Sequence, residues 1–193
     1  MSMTQRFFIT GLPRSRTAWM AAYFSMGRTL CYHEPIAELS SLDDLPEFFD
    51  APYYSHVGVA DSGLGFHIDW ILKHIQPRTL IIDRPLCDVD AALARLGFPK
   101  TTQTQLLQRA LDRCGDHPLV RRISYSSLDN PRAMERAFFH LMPGIPFDQV
   151  RHEQFCRLNI QADMQRCTER VRNNSAGIHR VLGDIFQQVQ ILP

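Results

Sequence analysis

Arg6-Phe7-Phe8-Ile9-Thr10-Gly11-Leu12-Pro13-Arg14-Ser15-Arg16-Thr17 decides the fold. Its apolar run, Phe7-Phe8-Ile9, suits a strand over Arg6–Thr10 buried on both faces. A short loop follows, and from Ser15 to Met26 the positions Trp19, Met20, Tyr23, Phe24 and Met26 recur at helical spacing. A strand, a tight loop and a helix opening on hydroxyl residues form an anion site, because the first-turn amides and the positive end of the helix dipole face the loop. Arg14 and Arg16 add two guanidiniums there, and Arg14 can grip oxygens in a two-pronged fork. A Walker A loop needs a second glycine followed by lysine, and this loop has neither.

Outward from that unit, short apolar runs alternate with amphipathic stretches. Strands are expected at Thr29–Tyr32, His56–Ala60, Thr79–Asp83 and Leu119–Tyr125. Between them the pattern reads as helical over 35–49 (broken at Pro46), 66–75, 86–96, 102–114 and 130–141, with Gly97 and Pro99 stopping the third. After the turn cluster Met142-Pro143-Gly144-Ile145-Pro146 the pattern is helical only, and Ile178, Val181, Leu182, Ile185 and Val189 mark a final amphipathic helix. The expected fold is α/β: a three-layer sandwich with a central parallel sheet of about five strands, like the P-loop nucleotide-binding proteins, and a helical C-terminal segment. We read residues 1–193 as a single domain, with its core at about 5–148 and a helical extension at about 149–193.

Composition narrows the function classes. With 45% hydrophobic residues the chain can bury a core, and its formal charge of +1 carries no bulk field for nucleic acid or an anionic membrane. Only Lys73 and Lys100 are lysines, and Lys100 follows a helix rather than a strand, so it does not complete a phosphate loop. Five scattered cysteines fit neither a disulfide framework nor a zinc site, and no apolar run is long enough for a signal or a membrane span. Reduced thiols in the cytoplasm are expected. In His152-Glu153, Cys156 stands where a zinc-protease helix would carry its second histidine, so the pair reads as a solvated helix face.

Pro13-Arg14-Ser15-Arg16-Thr17-Ala18-Trp19 resembles the 5′-phosphosulfate loop, P-[KR]-S-G-T-T-W, of the sulfotransferases that use 3′-phosphoadenosine 5′-phosphosulfate. Three further blocks follow in that family's order. Arg84-Pro85-Leu86-Cys87-Asp88-Val89 is similar to its 3′-phosphate segment, Arg122–Leu128 with Asn130-Pro131 to a later strand, and Met142–Phe147 to the turn that closes it. The resemblance covers about residues 6 to 148. Departures are Arg16 at the loop glycine, Ala92 where a serine contacts the 3′-phosphate, Ser126 and Ser127 for an acidic pair, and no late R-K-G clamp. Arg170, Arg172 and the Asn173–Gly177 stretch are a candidate substitute for the clamp, or a helix–helix turn.

The resemblance implies sulfuryl transfer from 3′-phosphoadenosine 5′-phosphosulfate to a hydroxyl or amine of a small-molecule or carbohydrate acceptor, with no metal. Donor contacts would come from Arg14, Ser15, Arg16, Thr17, Ala18, Trp19, Arg84 and Tyr125, with Trp19 and Tyr125 flanking adenine. Glu34 is the implied base, with His33 as helper and Arg14 as charge stabiliser; the alternative base position lies near His56 and Asp61. Variable segments such as Ser40–Tyr54 would build the acceptor pocket. Two other readings stay open. One is a phosphotransferase using magnesium-ATP with Asp83 on the metal, and the other is a nucleotide-binding relative without chemistry.

Overall fold

The computed structural model describes residues 4–98 and 102–189, so Pro99, Lys100 and Thr101 lie outside the described residues. Five parallel strands, β1 (Gln5–Gly11), β2 (Thr29–His33), β3 (His56–Ala60), β4 (Arg78–Asp83) and β5 (Val120–Ser124), form one sheet in the order β2-β3-β1-β4-β5. β1 lies at its centre, paired with β3 through Phe7↔Gly58 and with β4 through Ile9↔Leu80. Successive strand side chains point to opposite faces, which is why the run Phe7-Phe8-Ile9 must be apolar throughout. Phe7 and Ile9 join one core and Phe8 the other, all three fully buried. Gly58 makes room for this: a Cβ there would fall 2.1 Å from the Phe7 ring.

Helices cover both faces. On one side α1 (Thr17–Phe24) and α5 (Pro131–Leu141) pack Trp19, Tyr23, Phe24, Met134 and Phe138 against Phe7, Ile9, Leu80 and Ile82. On the other, α2 (Ile68–His74), α3 (Leu86–Ala94) and α4 (Thr102–Arg113) cover Phe8, Val59 and Ile81. Beyond them run α6 (Gln149–Cys156), α7 (Met164–Asn173) and α8 (Ser175–Val189). These late helices feed the same cores, since Phe155 packs with the first cluster and Val181 and Leu182 are buried in the second.

The one or two helices expected over 35–49, with a break at Pro46, are instead two 3-10 segments, Pro35–Ala37 and Leu42–Phe49, which part before Leu42. Pro46 lies inside the second, and without an N–H it cannot close an α-helical bond, so tighter turns begin at the Ser41/Asp44 capping box. The 66–75 stretch likewise opens as a 3-10 turn, Gly63–His67, before α2. The strand order places the chain's exits from β1 and β4 on opposite sides of the sheet. A crevice opens at the C-terminal ends of these two strands, where open α/β sheets bind ligands.

Candidate active site

At that crevice β1 ends in Gly11, packed so closely that a Cβ would meet the Ile82 carbonyl at 2.7 Å. The chain then turns sharply through Arg14 and Arg16, both in the left-handed region with φ of 66° and 65°. A non-glycine residue there costs about 1–2 kcal/mol, which explains why the resembling loops carry glycine at the Arg16 position. The first bond of α1 runs from the Met20 N–H to the Arg16 carbonyl at 2.9 Å. The amides of Thr17, Ala18 and Trp19 therefore point out of the helix toward the loop. Ser15 is fully buried, and its Oγ has no partner among the described residues.

Three arginines converge on this turn. Arg84, leaving β4, donates from Nη1 to the Arg14 carbonyl and lies over the Tyr125 ring at 4.3 Å. Its Nε is buried without a partner. It thus braces the loop from below, rather than pairing with Asp88. Arg14 is held by a neutral group, donating from Nη2 to Gln161 Oε1 at 2.8 Å, so its full charge remains for an anion. Arg16 differs. Its Nη1 lies 2.6 Å from Asp129 Oδ1, so the extra cation expected at the glycine position is largely neutralised by a carboxylate 113 residues away.

Together these groups line one cleft of about 430 Å³. Arg14, Arg16, Thr17, Ala18, Arg84 and Tyr125 form one part of its wall, and Glu34 another. Trp19 does not reach it. The indole is 1% exposed, stacked on Tyr23 at 5.1 Å, and its Nε1 donates to the Phe155 carbonyl at 2.9 Å. Its expected place beside adenine is corrected to a core role, because helical spacing put it on the face of α1 toward the sheet. Ala92 does line the cleft, presenting a methyl group where the resembling sequences have a hydroxyl.

Glu34 leaves β2 in a left-handed turn, φ 50°, that aims it into the cleft. Its Oε2 accepts from Cys167 Sγ at 3.5 Å, and His33 Nε2 lies 3.6 Å from its Oε1. Burial holds the His33 imidazole below its ordinary pKa against the opposing pull of Glu34, with Arg170 lowering it further. Glu34 therefore faces a largely neutral ring rather than a cation near neutral pH. Asp61 is fully buried, accepts from the Ile36 amide at 3.0 Å and the Leu64 amide at 2.9 Å, and so pins the Glu34 turn to the end of β3. Desolvation pushes its carboxyl up to about 7 despite those bonds. It acts here as a clamp on the backbone, and His56 lies at the start of β3, the opposite end of the strand.

The late helices complete the site. Gln161 and Cys167 line the cleft, and no local motif marks either residue. Arg170 reaches Glu38 at 2.5 Å and the Glu34 carbonyl at 3.4 Å, while Asn174 Nδ2 donates to the carbonyls of Ala37 and Leu39. The 173–177 stretch is thus a helix–helix turn docked on the loop after β2. Ser40–Tyr54 contributes nothing to the cleft wall, since Leu45 and Phe49 are buried in the core. Asp83 is gripped by Arg122 through Nε–Oδ2 at 2.9 Å and Nη2–Oδ1 at 2.5 Å.

No protein-family model and no curated protein matches the chain. Among solved structures it is similar to mouse sulfotransferase SULT7A1 complexed with PAP, with a TM-score of 0.55 and 14% identity, over 79% of this chain and 64% of that one. It therefore spans less than two thirds of the mouse chain's length. The sulfotransferase of Alicyclobacillus acidocaldarius aligns over 94% of this chain and 98% of its own at 13% identity, with a TM-score of 0.48. No described helix is long and apolar enough to cross a membrane. The order β2-β3-β1-β4-β5, the flanking helices and the mouse comparison together define a sulfotransferase-like α/β fold.

Proposed function

We infer that the chain is a sulfotransferase that takes 3′-phosphoadenosine 5′-phosphosulfate as donor and a hydroxyl or amine as acceptor. One observation carries this reading. A turn with outward amides and a charge-available Arg14 shares a single cleft with a carboxylate, Glu34, that no guanidinium pairs with among the described residues. The cleft fits the donor, because the buried Arg84 Nε has no acceptor among the described residues and the first-turn amides of Thr17 and Ala18 face out of α1. The donor supplies an activated sulfuryl group on a phosphate leaving group. Arg14 and the loop amides bind that phosphate and stabilise charge gathering on it, a preorganised electrostatic effect. Tyr125, with Arg84 against its ring, offers the aromatic surface for adenine. Glu34 orients the acceptor and takes its proton, while the Cys167 thiol donates to the carboxylate and the His33 ring stands beside it at 3.6 Å.

Asp83 counts against the magnesium-ATP reading, because Arg122 occupies its carboxylate. Ala92 favours one other reading, a nucleotide-binding relative without turnover, since it removes a polar contact from the cleft wall. The mouse comparison adds that a protein with this fold was crystallised with PAP. The test has two parts. Stabilisation by 3′-phosphoadenosine 5′-phosphate without magnesium establishes the site, and transfer of labelled sulfate to a panel of hydroxyl and amine acceptors separates enzyme from binder. No stabilisation by that nucleotide overturns the proposal.

A further inference from the structure

A second groove, of about 690 Å³, runs along the outer edge of the sheet between β5 and α5, away from the cleft. Four arginines line it with no carboxylate in its wall, and three of them, Arg78, Arg121 and Arg136, have no carboxylate partner among the described residues. Arg121 and Arg136 are exposed, and among the described residues neither enters an ion pair; Arg78 donates only to the His140 carbonyl at 3.3 Å. Arg122 also borders the groove, but Asp83 and Asp112 absorb its charge.

The backbone there is unspent beyond the first residue of β5, whose Val120 N–H donates to the His117 carbonyl at 2.8 Å. β5 is the terminal strand, so its outer N–H and C=O groups have no ladder partner. The Thr79 N–H donates to the Leu119 carbonyl at 2.8 Å, so residues 119, 121 and 123 bond inward to β4. The amide and carbonyl of Arg122 therefore face outward. α5 overhangs this edge with the exposed Phe139, leaving a slot shaped for one more strand.

We propose that this slot docks an extended acidic peptide segment of a partner protein, which adds a sixth strand beside β5. Only a peptide supplies alternating donors and acceptors to a strand edge, and the uncompensated arginines require that its side chains be acidic. A second copy of this chain is disfavoured as occupant. Edge-to-edge pairing of two β5 strands would bring the uncompensated Arg121 side chains of both copies to one seam. The five residues of β5 offer about 17 Å of edge, enough for five or six peptide residues.

The probe is a fluorescein-labelled hexapeptide of alternating glutamate and valine, followed by fluorescence polarisation with the full chain. Saturable binding is expected, weakened at least about tenfold when the peptide carries N-methyl groups on alternate amides at unchanged charge. An R121E/R136E variant should lose at least about tenfold for the parent peptide while keeping its melting temperature, since both side chains are exposed. Equal affinity of the N-methylated peptide would overturn strand addition, as would absence of binding up to about 1 mM peptide. Tighter binding of a heparin fragment, competing with the peptide and lost in R121E/R136E, would reassign the groove to a polyanion. None of these outcomes depends on what the cleft binds.

Discussion

Replacing Arg14 by alanine removes one guanidinium from the cleft and little else. Among the described residues its side chain is tied by a single exposed hydrogen bond to Gln161, and the left-handed φ of 66° is as unfavourable for alanine as for arginine. The unliganded protein should therefore lose no more than about 1 kcal/mol. Binding should suffer more, because a charge-assisted contact to a phosphate is worth about 2 kcal/mol, or roughly thirtyfold in affinity. At a ligand concentration about 100 times the wild-type Kd, ligand stabilises the native state by about 2.7 kcal/mol, falling to about 0.9 kcal/mol after that loss. At roughly 3 °C per kcal/mol for a chain of this size, the melting shift should drop from about 8 °C to about 3 °C. The assay is differential scanning fluorimetry with 3′-phosphoadenosine 5′-phosphate, magnesium absent. An undiminished shift in the variant would show that the anion binds elsewhere. A collapse of the unliganded melting temperature would show that Arg14 holds structure rather than ligand.

Glu34→Gln should keep the nucleotide-induced shift and lose at least about a hundredfold in sulfuryl transfer, measured with labelled donor, because the amide cannot accept the acceptor's proton. Asp61 yields a pH signature. Its folded pKa, near 7, lies above the unfolded value of about 3.9, so the native state retains a proton that the unfolded chain has released. Its contribution is complete below about pH 4, is lost as pH rises toward 7, and is constant above that. Denaturant midpoints for Asp61→Asn should lack this slope and be lower at pH 7, since the carboxylamide's –NH₂ cannot accept from the Ile36 amide. Gly11→Ala should cost about 2 kcal/mol, or roughly 6 °C of melting temperature, because its methyl would press on the Ile82 carbonyl rather than on a side chain able to move.

The strands were legible because burial on both faces demands unbroken apolar runs, and Phe7-Phe8-Ile9 and Leu80-Ile81-Ile82 have no other use. Their order in the sheet was not written locally, and emerged only from which strand pairs with which. The anion turn was legible for a similar reason, since strand, loop and helix are adjacent in sequence. Trp19 misled because helical spacing gives a period and not a direction, so the same residue suits either a cleft or a core. Arg16 misled because its neutralising partner, Asp129, is distant in sequence. Gln161, in the loop between α6 and α7, and Cys167, on α7, carry no motif and reach the cleft only through the docking of the late chain. Asp61, named beside His56 as an alternative base position, spends its carboxylate on the Ile36 and Leu64 amides, contacts that no local pattern announces.

The ties from Arg170, Asn174 and Arg180 to residues 34–40 have a wider consequence. They make the carboxylate's aim a property of chain folded well over a hundred positions downstream. Gly177 seals that union, as any side chain there would strike the Leu39 carbonyl, 2.3 Å from its Cβ position. A defect confined to this distant splint would leave the turn after β1 intact while setting the Glu34 carboxylate adrift, so on the proposed reading donor occupancy and turnover would fail separately.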